Sequence, residues 1–274
     1  MKGSRVIVDW DDAYANGAYI PGADDIAAKW EVDAAAYLAE MTARDRVMLA
    51  LPYGPHPREA MEIFLPEGTP KGLVVFVHGG YWISMDRSLW LHLAAGAVDR
   101  GWAVAMPSYP LCPEVGIADI TRSVAKAIDF AAEKIDGPIH IAGHSAGGHL
   151  VARMGCVDIS LACIDRVDRI IAISSVNDLR PLLRTEMNAK FKMTLADAEA
   201  ESPALLAPRE GLNITCWVGL DERPEFVRQN ALLANIWQGY PVNMTLIEDR
   251  GHNHFTVINA LTDTDSAITD ALVG

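Results

Sequence analysis

The sequence predicts an α/β fold with a mostly parallel central sheet and helices on both faces. Short, continuously apolar runs suit strands that are covered on both sides, and helix-like segments separate these runs along the chain. The chain has 274 residues, half of them hydrophobic, which is enough for one substantial core. We therefore expect one domain over residues 1–274.

The elements follow from the spacing of apolar residues. In an N-terminal helical extension, about 1–46, these residues recur at helical spacing behind Asp24 and Asp25, either of which can cap the helix. The predicted strands are 47–51, 60–65, 73–77, 102–106, 139–142, 170–173, 214–218 and 242–247. The later predicted helices are 89–99, 117–134, 147–156, 224–237 and 255–272. The segment 178–208 holds short amphipathic pieces and is expected to form a small cap.

The composition excludes several classes of partner. The chain has 23 Lys and Arg against 36 Asp and Glu, a net charge of −13, which disfavours nucleic acid and anionic membranes. Residues 1–12 lack the pattern of a signal peptide, and no run is long enough to cross a bilayer. These features predict a cytoplasmic protein with a small-molecule substrate.

The cysteines give no sign of a metal site. They form no CxxC pair and no zinc-ligand spacing, so we expect reduced, buried thiols. The prediction is that the protein needs neither a metal nor an organic cofactor. The four cysteines are Cys112, Cys156, Cys163 and Cys216.

A Gly-x-Ser-x-Gly sequence identifies a candidate nucleophile. Gly143-His144-Ser145-Ala146-Gly147 lies between a predicted strand and a predicted helix, the arrangement of the nucleophile turn in α/β-hydrolases. The serine has to sit on a sharp turn, and the glycines leave room around it. The helix that follows directs N–H groups at the site, which favours developing negative charge. This motif predicts the α/β-hydrolase fold with Ser145 as the covalent nucleophile.

A glycine-rich loop earlier in the chain is the candidate oxyanion hole. His78-Gly79-Gly80-Tyr81-Trp82 follows the predicted strand 73–77, and glycine lets the main chain approach a substrate closely. We expect the amides of Gly80, Tyr81 and Ala146 to bind the oxyanion. Trp82 and His144 are predicted to line the substrate pocket, although an aromatic residue there also suits the core.

The acid and the base should follow the nucleophile in the chain. Two histidines after the last predicted strand are candidates for the base, and His254 is favoured over His252 because an apolar segment begins directly after it. His149 is expected to be packed in the helix after Ser145. The acid should follow strand 214–218, where Asp221 and Glu222 both remain candidates.

Beyond the superfamily motif, the sequence resembles the kynurenine formamidase (arylformamidase) group of α/β-hydrolases over nearly the whole chain. The HGGxW element is the specific part of the likeness. The matching segments are 78–82, 143–149, 178–182 with 202–203, 224–226 with 228–229, 253–255 and 11–16. The resemblance implies the roles of Ser145 and His254, and it places the acid at Glu222, where the family commonly has Asp.

The resemblance also implies an activity. Such enzymes remove the N-formyl group of N-formylkynurenine in tryptophan catabolism, giving kynurenine and formate without a cofactor. A broad-range carboxylesterase would use the same machinery, and a catalytically silent binding protein would require a broken triad. The resemblance is also compatible with a homodimer.

Overall fold

A computed structural model describes residue 7 and residues 9–274 of the chain. In this part, eight strands form one sheet. They are β1 (Val47–Pro52), β2 (Ala60–Phe64), β3 (Leu73–Val77), β4 (Ala103–Pro107), β5 (Ile139–His144), β6 (Val167–Ile173), β7 (Asn213–Gly219) and β8 (Asn243–Asp249). Their order is β1-β2-β4-β3-β5-β6-β7-β8. β2 runs antiparallel to both β1 and β4, and all other neighbours are parallel. The predicted fold class is confirmed.

Helices cover the sheet and connect its strands. The α-helices are α1 (Trp10–Tyr14), α2 (Ala23–Ala43), α3 (Ala95–Asp99), α4 (Ile117–Ala132), α5 (Ala146–Met154), α6 (Asn188–Phe191), α7 (Leu195–Ala200), α8 (Pro224–Trp237) and α9 (Ala267–Val273). Short 3₁₀ helices are Gly17–Tyr19, Arg87–Leu89, Leu91–Ala94, Ile164–Arg166, Arg180–Arg184, Pro203–Leu205 and Asn259–Thr262. Among the residues described, no helix has both the length and the apolar character needed to cross a membrane.

The central strand β3 shows why continuous apolar runs form this sheet. All five of its residues are buried, and successive side chains point to opposite faces. Leu73 and Val75 belong to one hydrophobic cluster, whereas Val74 and Phe76 belong to the other. A strand covered on both faces needs apolar residues at every position.

The prediction of one helix over 255–272 is wrong. The chain instead turns after His254, forms the 3₁₀ helix Asn259–Thr262, and enters a new helix, α9, at Ala267. The Asn253 side chain accepts two backbone N–H groups of the first turn, and the Ser266 side chain caps α9. These local polar contacts compete with helix formation.

Two further predictions need correction. Gly22, with φ 71°, lies at the cap position of α2 and makes no side-chain cap. Asp24 and Asp25 therefore lie in the first turn, where their negative charges interact favourably with the helix dipole.

The predicted helix 89–99 is α-helical only in α3. Trp90 interrupts it with φ −128°, and its ring packs against other aromatic rings of the core.

Part of one prediction falls outside the described residues. The absence of a signal peptide from residues 1–12, and the start of the N-terminal extension, concern residues 1–6 and 8, which the structure does not describe. The thiols of Cys112, Cys156 and Cys216 are buried as expected, whereas Cys163 is only partly buried.

The buried Glu201 helps to fix the cap segment 178–208 to helices α4 and α5. The Glu201 carbonyl oxygen accepts a hydrogen bond from His149 Nε2 at 2.7 Å. Its carboxylate accepts hydrogen bonds from Thr121 Oγ1 at 2.6 Å and from Arg153 Nε at 3.2 Å. His149 is fully buried, as predicted. Because α4 and α5 carry these partners, the end of the cap is fixed to the helix that follows Ser145.

Acid should destabilise the fold through His149. Burial lowers the pKa of His149 from its usual 6.5 to about 3, so the unfolded chain takes up a proton below pH 6.5 while the folded chain stays neutral. The free energy of unfolding should therefore fall as the pH drops from 6.5 towards 3, by about 2 kcal/mol at pH 5 from this residue. Urea unfolding at several pH values measures the slope. His149→Gln, which keeps an N–H donor for Glu201, should make the slope shallower, and an identical slope would contradict this assignment.

Candidate active site

Ser145 lies at a sharp corner between β5 and α5. Its backbone has φ 58° and ψ −116°, a conformation that L-residues adopt only under constraint. Its N–H donates to the carbonyl oxygen of Ile173 at 2.8 Å, which holds the corner against the end of β6. The residue is 4% exposed. The corner therefore presents the hydroxyl at the carboxyl end of the sheet, where open α/β sheets bind ligands.

Three glycines allow this corner to form. A Cβ at Gly147 would overlap the carbonyl oxygens of Val77 and His78, and a Cβ at Gly143 would overlap the carbonyl oxygen of Gly147. At Gly148 it would lie 2.6 Å from the carbonyl oxygen of Ile173. The first turn of α5 therefore packs directly against the main chain of neighbouring strands, which explains the glycines on both sides of the serine.

The glycine-rich loop after β3 lies against the same corner. A Cβ at Gly79 would be 3.2 Å from Ser145 Cβ. The next three residues all have positive φ: 111° at Gly80, 53° at Tyr81 and 57° at Trp82. The turn closes through hydrogen bonds to the carbonyl oxygen of Gly80.

The three amides expected to form the oxyanion hole have no protein acceptor. Among the hydrogen bonds of the described residues, none uses the N–H of Gly80, Tyr81 or Ala146 as a donor. Buried N–H groups nearly always find a partner, so these amides are available to a negatively charged oxygen of a ligand.

The structure brings Glu222 and His254 together. His254 Nδ1 donates to Glu222 Oε2 at 2.6 Å, because an ionised carboxylate can only accept. The other carboxylate oxygen accepts from Ser174 Oγ at 2.5 Å and from the N–H of Gly219 at 2.9 Å. The Glu222 side chain has no solvent exposure, and these three donors satisfy the buried charge.

The alternative acid and base lie apart from this pair. The Asp221 side chain is exposed and makes no ion pair with any described residue. His252 contributes its carbonyl oxygen to the N–H of Asp221 at 3.1 Å, so these two residues meet through the main chain only.

The candidate nucleophile, Ser145, and the candidate base, His254, are neighbours without a direct hydrogen bond. The ring of His254 lies 4.6 Å from that of His144, the residue before Ser145. No hydrogen bond of the described residues joins Ser145 Oγ to His254. With Nδ1 occupied by Glu222, Nε2 is the ring nitrogen left to take a proton, and catalytic contacts of this kind often tighten only in the substrate complex.

The side chains of Trp82 and His144, predicted to line the substrate pocket, and that of Tyr81 lie in three different environments. Trp82 is 1% exposed, and its ring packs edge-on against His149 and Phe191, which places it in the core beneath the cap. Tyr81 directs its hydroxyl away from the corner towards the N-terminal segment. Burial and the nearby His254 hold the pKa of His144 well below its usual range, so His144 stays neutral beside Glu222 and His254.

Several residues at the site have no role predicted from the sequence, although they lie in segments that carry the family resemblance. The ring centroid of Phe226 lies 4.4 Å from that of His254. This contact restricts rotation of the imidazole ring. Tyr14 donates to Glu225 at 2.9 Å, and Gln229 donates to Tyr14 at 3.0 Å. This buried network joins the N-terminal segment to α8. Its residues are polar because buried polar groups need hydrogen-bond partners, and these partners come together only in the folded protein.

Comparison with known proteins agrees with this geometry. The model of the alpha/beta hydrolase family matches residues 74–264, which includes the corner at Ser145, the cap and both Glu222 and His254. This chain belongs to the alpha/beta hydrolase family. Within it the chain is kynurenine formamidase-like, since it is 30% identical over 253 residues to the kynurenine formamidase of Salmo salar, covering 86% of this chain and 85% of that protein.

A further relative and two solved structures extend the comparison. The kynurenine formamidase of Drosophila melanogaster is 30% identical over 231 residues, covering 77% of this chain and 76% of that protein. A solved structure from Silicibacter sp. tm1040, named as a candidate thioesterase, has 47% identity and a TM-score of 0.92, covering 97% of this chain and 99% of that one. Esterase B from Lactobacillus rhamnosis has 16% identity, a TM-score of 0.66, and coverage of 92% and 93%, and it shares the fold. The kynurenine formamidases and the Silicibacter structure support a hydrolase that acts on esters or amides.

The close packing at Gly147 can be tested directly. Gly147→Ala should destabilise the protein by about 3 kcal/mol or more and should also lower activity, because the new methyl group overlaps main-chain oxygens that cannot move independently. Thermal unfolding and hydrolysis of p-nitrophenyl acetate measure both effects. Gly116→Ala is the matched control, since its methyl group would only reach Asp119 Oδ2 at 3.5 Å. Equal stability of the two variants would contradict the tight contact.

Replacement of each carboxylate should distinguish the acid from its neighbour. Glu222→Gln should lower kcat by roughly 10³- to 10⁴-fold, because an amide no longer holds the imidazole tautomer or stabilises the imidazolium. Asp221→Asn should lower kcat for p-nitrophenyl acetate less than about ten-fold, because its side chain does not contact His254. Steady-state kinetics of both variants decide the question, and the reverse ranking would remove Glu222 from the catalytic pair.

Proposed function

We propose that this chain is a serine hydrolase that cleaves aryl N-formyl amides such as N-formylkynurenine. The observation that carries the proposal is the buried hydrogen bond between Glu222 and His254, next to a serine held in a strained corner. The kynurenine formamidases of Salmo salar and Drosophila melanogaster, similar over most of the chain, support the choice of a formyl amide.

In the first half of the reaction, Ser145 Oγ attacks the formyl carbon and His254 Nε2 takes the hydroxyl proton. The tetrahedral oxyanion accepts hydrogen bonds from the main-chain amides of Gly80, Tyr81 and Ala146. Glu222 stabilises the imidazolium that forms. As the intermediate collapses, the C–N bond breaks and His254 gives its proton to the leaving aryl amine.

In the second half, water attacks the formyl group on Ser145 with His254 again as the base. The oxyanion occupies the same three amides, and collapse of the intermediate returns the proton to Ser145 Oγ. The products are formate and the free amine. No step requires a group beyond these side chains and amides.

A second candidate function is the hydrolysis of esters or thioesters. The observation in its favour is the 47% identity to the Silicibacter protein named as a candidate thioesterase. Both functions would use the same nucleophile and base, so they differ only in the leaving group that the pocket accepts.

Two measurements test the mechanism and the substrate class. Ser145→Ala should lower kcat by about 10⁵-fold for N-formylkynurenine and for p-nitrophenyl acetate alike, because both need the same nucleophile. Ser160→Ala, at an exposed serine, is the matched control and should leave both rates unchanged. In the wild-type protein, kcat/KM should be higher for N-formylkynurenine than for p-nitrophenyl acetate. Negligible formamide cleavage beside efficient ester cleavage would favour the second candidate.

A further inference from the structure

An N-terminal strap, residues 9–20, crosses the candidate active site and contacts two of its loops. Tyr81 in the oxyanion loop donates its hydroxyl to the carbonyl oxygen of Tyr14 at 2.7 Å and accepts from Asn16 Nδ2 at 2.9 Å. Arg223, directly after Glu222, donates to the Asp12 carboxylate at 2.5 Å. The strap is therefore held against both halves of the catalytic machinery.

A cavity of about 230 Å³ lies between the strap and the loops that carry the acid and the base. Asn16 and Tyr19 of the strap line one side, and Asp221, Arg223 and His254 line the other. The cavity is smaller than the roughly 300–1,000 Å³ of pockets for drug-sized ligands, so it suits one part of a small substrate.

The position of the cavity assigns it to the leaving group. The base that takes the serine proton must afterwards protonate the leaving atom, so the leaving group has to lie on the side of His254. The residues that line the cavity include His254 but neither Ser145 nor Gly80. A formyl group is small enough to remain at the corner, and the rest of an aryl formamide would extend into this cavity.

Two side chains at the cavity, those of Asn16 and Asp221, present acceptor oxygens that are not paired within the described residues. Asn16 is 4% exposed, and its Oδ1 has no hydrogen-bond donor among the described residues, which is costly for a buried oxygen. Asp221 presents a carboxylate that pairs with no described cation. The charge of Arg223 is balanced by Asp12, but its buried Nε has no acceptor among the described residues and leaves one donor at the cavity. The two acceptors, Asn16 Oδ1 and the Asp221 carboxylate, favour a ligand group that is positively charged and donates N–H bonds.

We propose that this cavity binds an ammonium group on the leaving amine, with Asn16 Oδ1 and the Asp221 carboxylate as its acceptors. The proposal rests on the proposed function and narrows its substrate class to aryl formamides whose amine part carries an aliphatic ammonium, as in N-formylkynurenine. Asn16 and Asp221 then determine specificity and take no part in the bond-breaking steps.

A matched pair of substrates tests the proposal. N-formyl-L-kynurenine and 4-(2-formamidophenyl)-4-oxobutanoate share the aryl formamide and the carboxylate, and only the first has the ammonium group. In the wild-type protein, kcat/KM should be about ten-fold higher for N-formyl-L-kynurenine, mainly through KM, which is the effect of about one hydrogen bond to a charged group.

Variants of the two proposed acceptors show which residues cause the preference for the ammonium group. Asn16→Leu and Asp221→Asn should each bring the ratio of the two kcat/KM values towards one. Asp136→Asn removes the same charge at an exposed position before the opposite end of β5 and should keep the wild-type ratio. Equal kcat/KM for both formamides in the wild-type protein, or a wild-type ratio in both cavity variants, would overturn the proposal.

A binding measurement separates this proposal from the proposed function. Kynurenine and its analogue without the ammonium group are compared as competitive inhibitors of p-nitrophenyl acetate hydrolysis, which requires no formamide cleavage. Failure of the wild-type protein to cleave either formamide would contradict the proposed function alone. A Ki about ten-fold lower for kynurenine would still support the ammonium site, and equal Ki values would overturn it.

Discussion

The close packing of α5 against the ends of β3 and β5 is the constraint on which the rest of the site depends. Gly143 and Gly147 let main chain meet main chain there, and the result is the strained backbone of Ser145. Strain of this kind persists only where the surrounding structure holds it in place. The same packing brings the loop of Gly79 and Gly80 beside the serine, so one contact determines the positions of both the Ser145 corner and the amides around it.

The buried carboxylate of Glu222 imposes a second constraint, because a charge inside the protein must be fully hydrogen-bonded. Ser174 and Gly219, at the ends of β6 and β7, occupy one of its oxygens and leave the other for His254. The orientation of the imidazole is thus determined by the sheet itself. Two adjacent acidic residues diverge here because Glu222 turns inward to these donors while Asp221 remains at the surface.

The sequence predicts most of the sheet because strands such as β3 and helices such as α8 have strong local patterns. It fails at residues 255–272, where apolar residues are spaced as in a helix but Asn253 and Ser266 divide the segment into turns. The choice between Asp221 and Glu222 depends on donors from β6 and β7, which no spacing reveals. The role of the strap is equally hidden, since Asn16 meets Tyr81 across 65 positions of sequence.

The hydrogen bonds of Glu201 have a consequence for how substrate range can change in this family. Because Glu201 fixes the end of the cap to His149 and Arg153 on α5, movement of that part of the cap would disturb the helix that begins directly after Ser145. The strap instead contacts the site through the partly exposed Asp12 side chain and through the backbone carbonyl oxygen of Tyr14, and its residues 17–19 are exposed. Evolutionary or engineered diversification should therefore accumulate at these exposed positions of the strap, whereas the buried Tyr14 should stay constant.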